Sequence, residues 1–375
     1  MKLIYISNHR FPTEKAHGLQ IAKMLEAFIE EDVDTILWAP ARKQTKSVGV
    51  GDAKSFYKLR TILKIERIRC WDFLQSFWMP RRLAFYLQTL SFSWNLRKKI
   101  RKEKDAIFFS RSLLPMVFAK KKIWFYEAHS APKTWIGKRC QKWVLSRCSG
   151  VICISESLKK KMGRIARGVP TLLAHDGVDL KWIAKAASRE KARQHLKIKG
   201  KEKLVVYTGS PFPEKGVLTL AEATKGLVGV VTIFVGGREE ESGFQTLKKK
   251  AEHAWVFPYV PHEEVRHFLS AADVLVIPNS AKDVMTREES SPLKLFEYMA
   301  VGKKIVASRV KSLTHILDEK SAWFFTPDDP DDLRRKILEA LKSSEKKGDV
   351  AQKKVQNYSW ESRAKKILSF IEAQA

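Results

Sequence analysis

The sequence predicts an α/β protein made of two doubly wound domains that face each other across a cleft. Candidate strands alternate with candidate helices along most of the chain, for example at residues 2–7, 106–110 and 204–207. This alternation indicates parallel sheets with helices on both faces, and ligands of such sheets bind at the carboxyl ends of strands. The chain has 375 residues, of which 44% are hydrophobic, enough for two domains with their own cores.

The most informative stretch is TREESSPLKLFEYMAVGKKIVAS, residues 286–308. Glu289 and Glu297 have seven residues between them, and Pro292 after two serines predicts a serine-capped helix that begins near the proline. The free amides and the dipole at a helix N-terminus attract anions. One interpretation is a diphosphate at this N-terminus, with carboxylates that accept hydrogen bonds from sugar hydroxyls. The other is an amphipathic helix with one capping and one exposed glutamate.

The run SPLKLFEYMAVGKKIVAS resembles the E-x7-E signature of retaining glycosyltransferases of family 4, which have the GT-B fold of two Rossmann-like domains. The resemblance implies transfer of a hexose from a nucleotide-sugar donor, of UDP or GDP type, to a glycan or lipid-linked acceptor. Glu297 would hold the ribose, Glu289 would hold the donor sugar, and residues 291–293 would bind the diphosphate. The residues of that last segment are Ser291, Pro292 and Leu293. Glu289 and Lys215 are both expected to be catalytic residues. The nucleotide sugar is a substrate, and neither a cofactor nor a metal is expected, because the sequence has no DxD motif and no His/Cys cluster.

Two residues of the first domain are candidates for the same site. Gly18 stands at a helix entrance, where it either lets a phosphate approach the backbone or forms a tight turn. His129 follows a buried strand, and it either binds substrate or bonds to a neighbouring carbonyl. The resemblance places Gly18 near the donor diphosphate and makes His129 a catalytic residue that faces the transferred sugar. Ser130 stands where relatives usually have aspartate.

The second domain has a glycine-containing loop after the strand at residues 204–207. Lys215 in this loop is either a point charge for a phosphate or a solvated lysine. The resemblance assigns the donor phosphates to Gly209, Ser210 and Lys215, although Ser210 stands where many relatives have arginine. Val260 lies in a segment that resembles the one that holds the nucleotide base through backbone groups.

The positive charge of the chain is concentrated in its first half. Formal net charge is +29, and residues 41–150 contain 26 lysines and arginines against 6 acidic residues, so an anionic partner is expected. Aromatic side chains interleave with arginines in the basic aromatic region 55–122; among them are Trp71, Phe73, Phe77 and Trp78. This mixture suits an anionic membrane, a single-stranded nucleic acid, or an ordinary helical layer with buried aromatics. The resemblance favours the membrane, and nucleic acid is the least favoured partner.

The expected domains are an N-terminal acceptor-binding domain at 1–185, a nucleotide-sugar-binding domain at 186–358, and a final helix at 359–375 that crosses back to the first. A strand at the very start, the lack of a 20-residue apolar run and four cysteines without CxxC spacing predict a cytoplasmic protein, with peripheral contact at the inner membrane face left open. Two alternatives remain: another GT-B enzyme such as a sugar-nucleotide epimerase, and a non-catalytic basic protein that binds nucleic acid or anionic lipid.

Overall fold

The computed structural model describes residues 1–44, 52–74, 76, 78–119 and 122–374. These residues divide into two compact units, the first made of residues 1–175 with 360–375 and the second of residues 176–359. Each unit is built on one parallel sheet whose strands are joined by helical segments. The prediction of two Rossmann-like α/β domains is confirmed.

The first unit contains a seven-stranded sheet in the order β3-β2-β1-β4-β5-β6-β7. Its strands are β1 (Lys2–Ile6), β2 (Asp34–Pro40), β3 (Lys64–Ile68), β4 (Ala106–Ser110), β5 (Trp124–Ala128), β6 (Gly150–Cys153) and β7 (Thr171–Leu173). Its helices are α1 (Ala16–Glu30), α2 (Ala53–Tyr57), α3 (Arg81–Lys102), α4 (Trp135–Leu145) and α5 (Glu156–Ile165), with a 3-10 helix at Leu114–Phe118. The central strand β1 is buried from Leu3 to Ile6, and it pairs in parallel with β4, which pairs in parallel with β5. The loops that follow these three strands therefore lie at one edge of the sheet.

The second unit contains a six-stranded parallel sheet in the order β10-β9-β8-β11-β12-β13. Its strands are β8 (Lys203–Thr208), β9 (Val230–Val235), β10 (Trp255–Phe257), β11 (Val274–Ile277), β12 (Lys304–Ser308) and β13 (Trp323–Phe325). Its helices are α6 (Leu180–Ile183), α7 (Arg189–His195), α8 (Val217–Thr224), α9 (Ser242–Lys250), α10 (His262–Ala271), α11 (Leu293–Ala300), α12 (Lys311–Thr314), α13 (Pro330–Lys342) and α14 (Lys347–Lys354). The adjacent central strands β8 and β11 are apolar runs buried on both sides, as parallel sheets require.

The boundary between the units lies earlier than the sequence predicted. Residues 176–185 were expected in the first domain, but they belong to the second unit. Val178, Trp182 and Ile183 pack in the core of that unit with side chains of α10 and α11. The Asp176 N–H also donates a hydrogen bond to Ser291 Oγ over 3.0 Å. Apolar burial therefore assigns these residues to the second unit.

The last helix, α15 (Trp360–Glu372), packs against α1 in the first unit. Its Arg363 is buried, and the guanidinium donates to Glu127 Oε1 at the end of β5 over 2.6 Å and to the His175 carbonyl over 2.8 Å. Burial alone raises the pKa of Glu127, but Arg363, His129 and Arg111 together hold that pKa well below its ordinary value. The carboxylate and the guanidinium therefore stabilise each other in the charged state.

We expect Arg363→Met to destabilise the first unit by about 3–5 kcal/mol, because it leaves a buried carboxylate without its main partner. Lys365→Met on the same helix is the matched control: Lys365 is exposed and 3.6 Å from Glu31, so its loss should cost at most about 1 kcal/mol. Urea unfolding at pH 7 measures both.

The pH dependence gives a second readout of the same substitution. A carboxylate with a lowered folded-state pKa stabilises the fold above its unfolded pKa of about 4.3, and this stabilisation is lost as the pH falls towards the folded value. The difference between wild type and Arg363→Met should therefore shrink from pH 7 to pH 3. An equal loss for both variants, or a difference independent of pH, would contradict the assignment.

Candidate functional site

The carboxyl end of β8 is tied directly to α11 in the second unit. The Thr208 N–H donates to the Tyr298 hydroxyl over 2.7 Å, and the Thr208 hydroxyl lies 3.2 Å from the same oxygen. Both residues are buried. This contact sets the first turn of α11 beside the loop that follows β8, so the E-x7-E segment and the glycine loop form one site.

Lys294, in the first turn of α11, is a candidate residue that the sequence analysis did not single out. Its Nζ is buried and donates no hydrogen bond to any residue that the structure describes. It lies 3.8 Å from the ring centroid of Tyr207 and so close to Gly209 that a Cβ at that glycine would be 2.6 Å from it. Burial, followed by the charge of Lys215, lowers the pKa of Lys294 well below its ordinary value.

Lys215 is the second cation at this strand end. It closes the 3-10 turn Pro213–Lys215 after β8, and burial lowers its pKa while Glu214 and Asp283 act in the opposite direction. Gly209 precedes this turn, and Ser210 is exposed, with its carbonyl accepting a hydrogen bond from Tyr207. Lys215 is half-buried and the Nζ of Lys294 is buried, so both lysines have lost hydration, and the charge of Lys215 disfavours a charge on Lys294. This strand end therefore favours an anion.

The N-terminus of α11 differs from the predicted serine cap. Glu289 ends a π-helical turn (Met285–Glu289), Pro292 is the N-cap, and no side chain caps the helix. The Ser291 hydroxyl instead accepts the Asp176 N–H, so serine fixes the start of the second unit. Leu293 begins the helix, and Lys294 places a cation where the helix dipole disfavours one.

Glu297 is engaged on the next turn of α11. Its Oε1 lies 2.7 Å from His262 Nε2, and the His262 ring stacks on Trp182 with 4.2 Å between centroids. Val260 is half-buried two residues before His262, in the segment between β10 and α10. Glu289 is buried with only 5% of its surface exposed. His262 was not predicted; only the fold brings it to Glu297.

Gly18 lies inside α1 in the first unit, and packing explains it better than a turn. A Cβ there would overlap the Tyr57 hydroxyl and lie 2.7 Å from the Thr13 carbonyl oxygen. Tyr57 in turn donates to that carbonyl and accepts from the Thr13 N–H, each over 2.7 Å. The Gly18 N–H donates to Lys15, so this amide is already used within the chain.

His129 lies after β5 in the first unit. The sequence left a neighbouring carbonyl open as its hydrogen-bond partner, whereas the structure shows a carboxylate, that of Glu127. Its Nε2 is 3.0 Å from Glu127 Oε2, which fixes the protonated nitrogen of the ring. His9 and His17 lie close to this histidine, with 4.3 Å between their ring centroids and their planes tilted by 44°. Burial, followed by the charge of Arg111, lowers the pKa of His17 to about 3, so the His17 imidazole stays neutral at pH 7.

One group of described residues has the side chains for a metal ion: His195, Glu264 and His267, on α7 and α10. Their ligand atoms lie within 4.8 Å of one another, and His195 already pairs with Glu264 over 2.8 Å. None of the predicted donor-site residues belongs to this group.

Much of the basic aromatic region 55–122 is exposed, as an interface requires, although part of it forms core. Trp71, Trp78 and Trp94 each expose more than half of their surface, while Phe92 is fully buried. Phe77 lies outside the described residues. No helix among the residues that the structure describes has both the length and the hydropathy needed to cross a bilayer.

Gly216, directly after Lys215, gives a test of the loop geometry. Its φ is +67°, and a Cβ there would overlap the Pro278 carbonyl oxygen, whereas Gly226 has a φ of +73° and open space around it. We expect Gly226→Ala to cost about 1–2 kcal/mol from backbone strain alone. Gly216→Ala should cost roughly 1–3 kcal/mol more, because the carbonyl must move. Equal midpoints of thermal unfolding for the two variants would contradict this geometry.

Residues 188–357 match the family model described as "Glycosyl transferases group 1". Two proteins of Bacillus subtilis (strain 168), named as teichuronic acid biosynthesis glycosyltransferases TuaC and TuaH, are 24% and 23% identical over 188 and 180 residues. These alignments cover 50% and 47% of this chain, and they span 45% and 44% of the length of the two relatives. The segment that matches the family model, residues 188–357, contains the loop after β8 and the whole of α11.

The fold is similar to those of solved structures that cover almost the whole chain. Sucrose-phosphate synthase from Thermosynechococcus elongatus gives a TM-score of 0.80 at 17% identity, with 99% of this chain and 98% of that chain covered. Anabaena HepE in complex with UDP and glucose gives 0.75 at 16% identity, with both chains covered completely. At these identities the likeness concerns the fold, and the predicted GT-B fold is confirmed.

Proposed function

We propose that the protein is a glycosyltransferase that takes a hexose from a nucleoside-diphosphate sugar. The observation that carries this proposal is a pair of lysines beside the end of β8: Lys215, which is half-buried, and Lys294 of α11, whose Nζ is buried. Each loses hydration in the fold, and Lys294 makes no hydrogen bond to a described residue. A diphosphate supplies the missing negative charge and the acceptor oxygens at once. The match of residues 188–357 to a glycosyl transferase model supports the same interpretation.

The proposed mechanism is electrostatic stabilisation of the leaving diphosphate. As the bond to the sugar breaks, negative charge grows on the diphosphate, and Lys215, Lys294 and the N-terminal amides of α11 lie ready to stabilise it. Many relatives have an arginine where this chain has Ser210, and Lys294 would supply that positive charge instead. We propose that the reaction retains the anomeric configuration and needs no metal, with the carbonyl or imidazole of His129 stabilising positive charge at the anomeric carbon.

Recognition of the donor is assigned to the predicted residues. Glu297 accepts hydrogen bonds from the ribose hydroxyls in exchange for His262, and Glu289 holds the donor sugar. Backbone groups near Val260 bind the base. UDP is the nucleotide to test first, because HepE, which has a similar fold, is known in complex with UDP and with UDP-glucose. Gly18 contributes by allowing α1 to pack closely, since its own amide is occupied.

The acceptor is proposed to be a glycan or lipid-linked glycan, met by the first unit at an anionic membrane surface. The surplus of lysine and arginine in residues 41–150 and the exposed aromatic side chains of α3 support this assignment. The protein would act on the cytoplasmic side of that membrane.

Lys294→Met should have opposite effects on stability and on binding: it should stabilise the nucleotide-free protein and weaken its affinity for UDP. Without nucleotide the variant should unfold at a higher temperature than the wild type, because a buried amino group that makes no hydrogen bond to a described residue is removed. Its affinity for UDP should fall by about 10–100-fold, since a charge-assisted hydrogen bond contributes roughly 1.5–3 kcal/mol. A thermal-shift titration with UDP measures both effects, with Lys320→Met, on the exposed surface, as the control. Unchanged UDP affinity, or a lower midpoint without nucleotide, would argue against this role.

The two glutamates should fail in different ways. Glu297→Ala should weaken binding of UDP and of UDP-sugar alike, because the ribose is common to both. Glu289→Ala should leave UDP binding intact and abolish sugar transfer, which can be followed as release of UDP from the UDP-sugar with and without acceptor. If Glu289→Ala transfers sugar at the wild-type rate, or if no nucleoside diphosphate stabilises the wild type, the proposed function is wrong.

A further inference from the structure

Helix α3 is apolar on two opposite faces. One stripe, spaced by four residues, is buried in the first unit and is apolar apart from Gln88; it contains Ala84, Gln88, Phe92, Leu96 and Ile100. A second stripe with the same spacing is exposed and contains Tyr86, Leu90 and Trp94. The stripes are offset by two residues, about 200° around a helix, so the second one faces away from the core. An ordinary amphipathic helix would be polar there.

The exposed stripe borders a pocket of about 520 Å³, within the usual range of ligand sites. The pocket lies between α3 and the 3-10 helix at Leu114–Phe118, and it is lined by Trp71, Leu90, Ser91, Ser93, Trp94, Asn95, Leu114, Val117 and Phe118. The polar members of this lining are already engaged. The Ser91 and Ser93 hydroxyls donate to backbone carbonyls within α3, and the Asn95 amide donates to the Arg69 carbonyl. The lining therefore favours an apolar occupant.

The rim of the pocket is basic. The Arg97 guanidinium lies 5.2 Å from the ring centroid of Trp94 and 5.7 Å from that of Phe118, so it bridges the two walls. The 3-10 helix that forms one wall also contacts α4. Helix α4 exposes three large apolar side chains and three basic ones: Trp135, Ile136, Trp143, Lys138, Arg139 and Lys142. Residues 128–155 contain no acidic side chain.

We propose that this pocket receives one hydrocarbon chain of an anionic bilayer lipid, while α4 lies at the level of the headgroups. Exposed tryptophans and lysines or arginines side by side are typical of the membrane interface. A lipid hydrocarbon chain bound in the pocket and a basic protein surface together supply the two contacts that stable membrane anchoring requires. A second copy of this chain is disfavoured, since two strongly basic surfaces would meet. A nucleic acid is disfavoured because the lining is mostly apolar and its serine hydroxyls already donate to backbone carbonyls. The proposal extends the membrane contact proposed above and does not depend on sugar transfer.

Filling the pocket from inside tests the proposal without altering the outer surface. Ser93 lines the pocket but is 2% exposed, so Ser93→Leu reduces the volume and leaves every exposed aromatic and basic side chain in place. Each methylene taken out of water contributes roughly fourfold to partitioning, so binding should fall about tenfold or more. Leu90→Gln at the mouth should act in the same direction and does not touch the core. Val228→Gln, an exposed apolar residue of the second unit, is the matched control.

The measurement is co-sedimentation with phosphatidylglycerol/phosphatidylcholine vesicles over a range of salt concentrations. The wild type and Val228→Gln should bind equally, and both pocket variants should bind more weakly at every salt concentration. Wild-type binding by Ser93→Leu and Leu90→Gln would overturn the proposal, as would failure of the wild type to bind at low salt. The thermal shift with UDP, measured on the same samples, reports folding and donor binding separately, so failure of one proposal is distinguishable from failure of the other.

Discussion

The hydrogen bond between the Thr208 N–H and the Tyr298 hydroxyl is the contact on which the candidate site of the second unit depends. It joins the end of a central strand to the middle of α11, and both groups are buried, so the helix cannot slide along the sheet without leaving a donor unpaired. From that fixed point, helix geometry sets the rest. Lys294 lies one turn before Tyr298, against Gly209, and Glu297 lies beside it, against His262.

In the first unit, Glu127 has a comparable role. Its carboxylate accepts hydrogen bonds from Tyr5 on β1, from Gln20 on α1 and from Arg363 on α15, and it pairs with His129. One buried group therefore joins both ends of the chain to the strand that carries the candidate catalytic histidine. Positioning of His129 and stability of the unit are coupled, because the same oxygen atoms serve both.

The sequence predicted the buried parts of this architecture well. Strands such as β8 and β11 are short apolar runs between turn residues, and that pattern survives in the fold. Strand β3 was missed because KIERI, at the edge of its sheet, carries charges that edge strands tolerate and central strands do not. The serine cap of α11 was wrong, because the Ser291 hydroxyl is used by Asp176, which lies 115 residues away in sequence.

The sequence predicted most of the candidate site residues, but it did not predict which side chains contact them in the fold. Lys294 stands in the middle of the quoted motif, but nothing local shows that its ammonium is buried; that follows from where Tyr207 and Gly209 lie. The pairing of His262 with Glu297 spans 35 residues, and that of Arg363 with Glu127 spans 236. Contacts at such separations are set by tertiary packing, which composition and spacing do not encode.

The position of Lys294 has a consequence for the lifetime of the protein. Its Nζ is buried, lies near the half-buried Lys215 and stands at the positive end of a helix dipole, so three unfavourable effects act on one atom while the site is empty. A bound polyanion relieves all three together. Local opening around α11, and with it cleavage by proteases that attack opened segments, should then be more frequent when nucleotide is scarce. Under the proposed function, the supply of donor would in this way influence how much of the protein a cell retains.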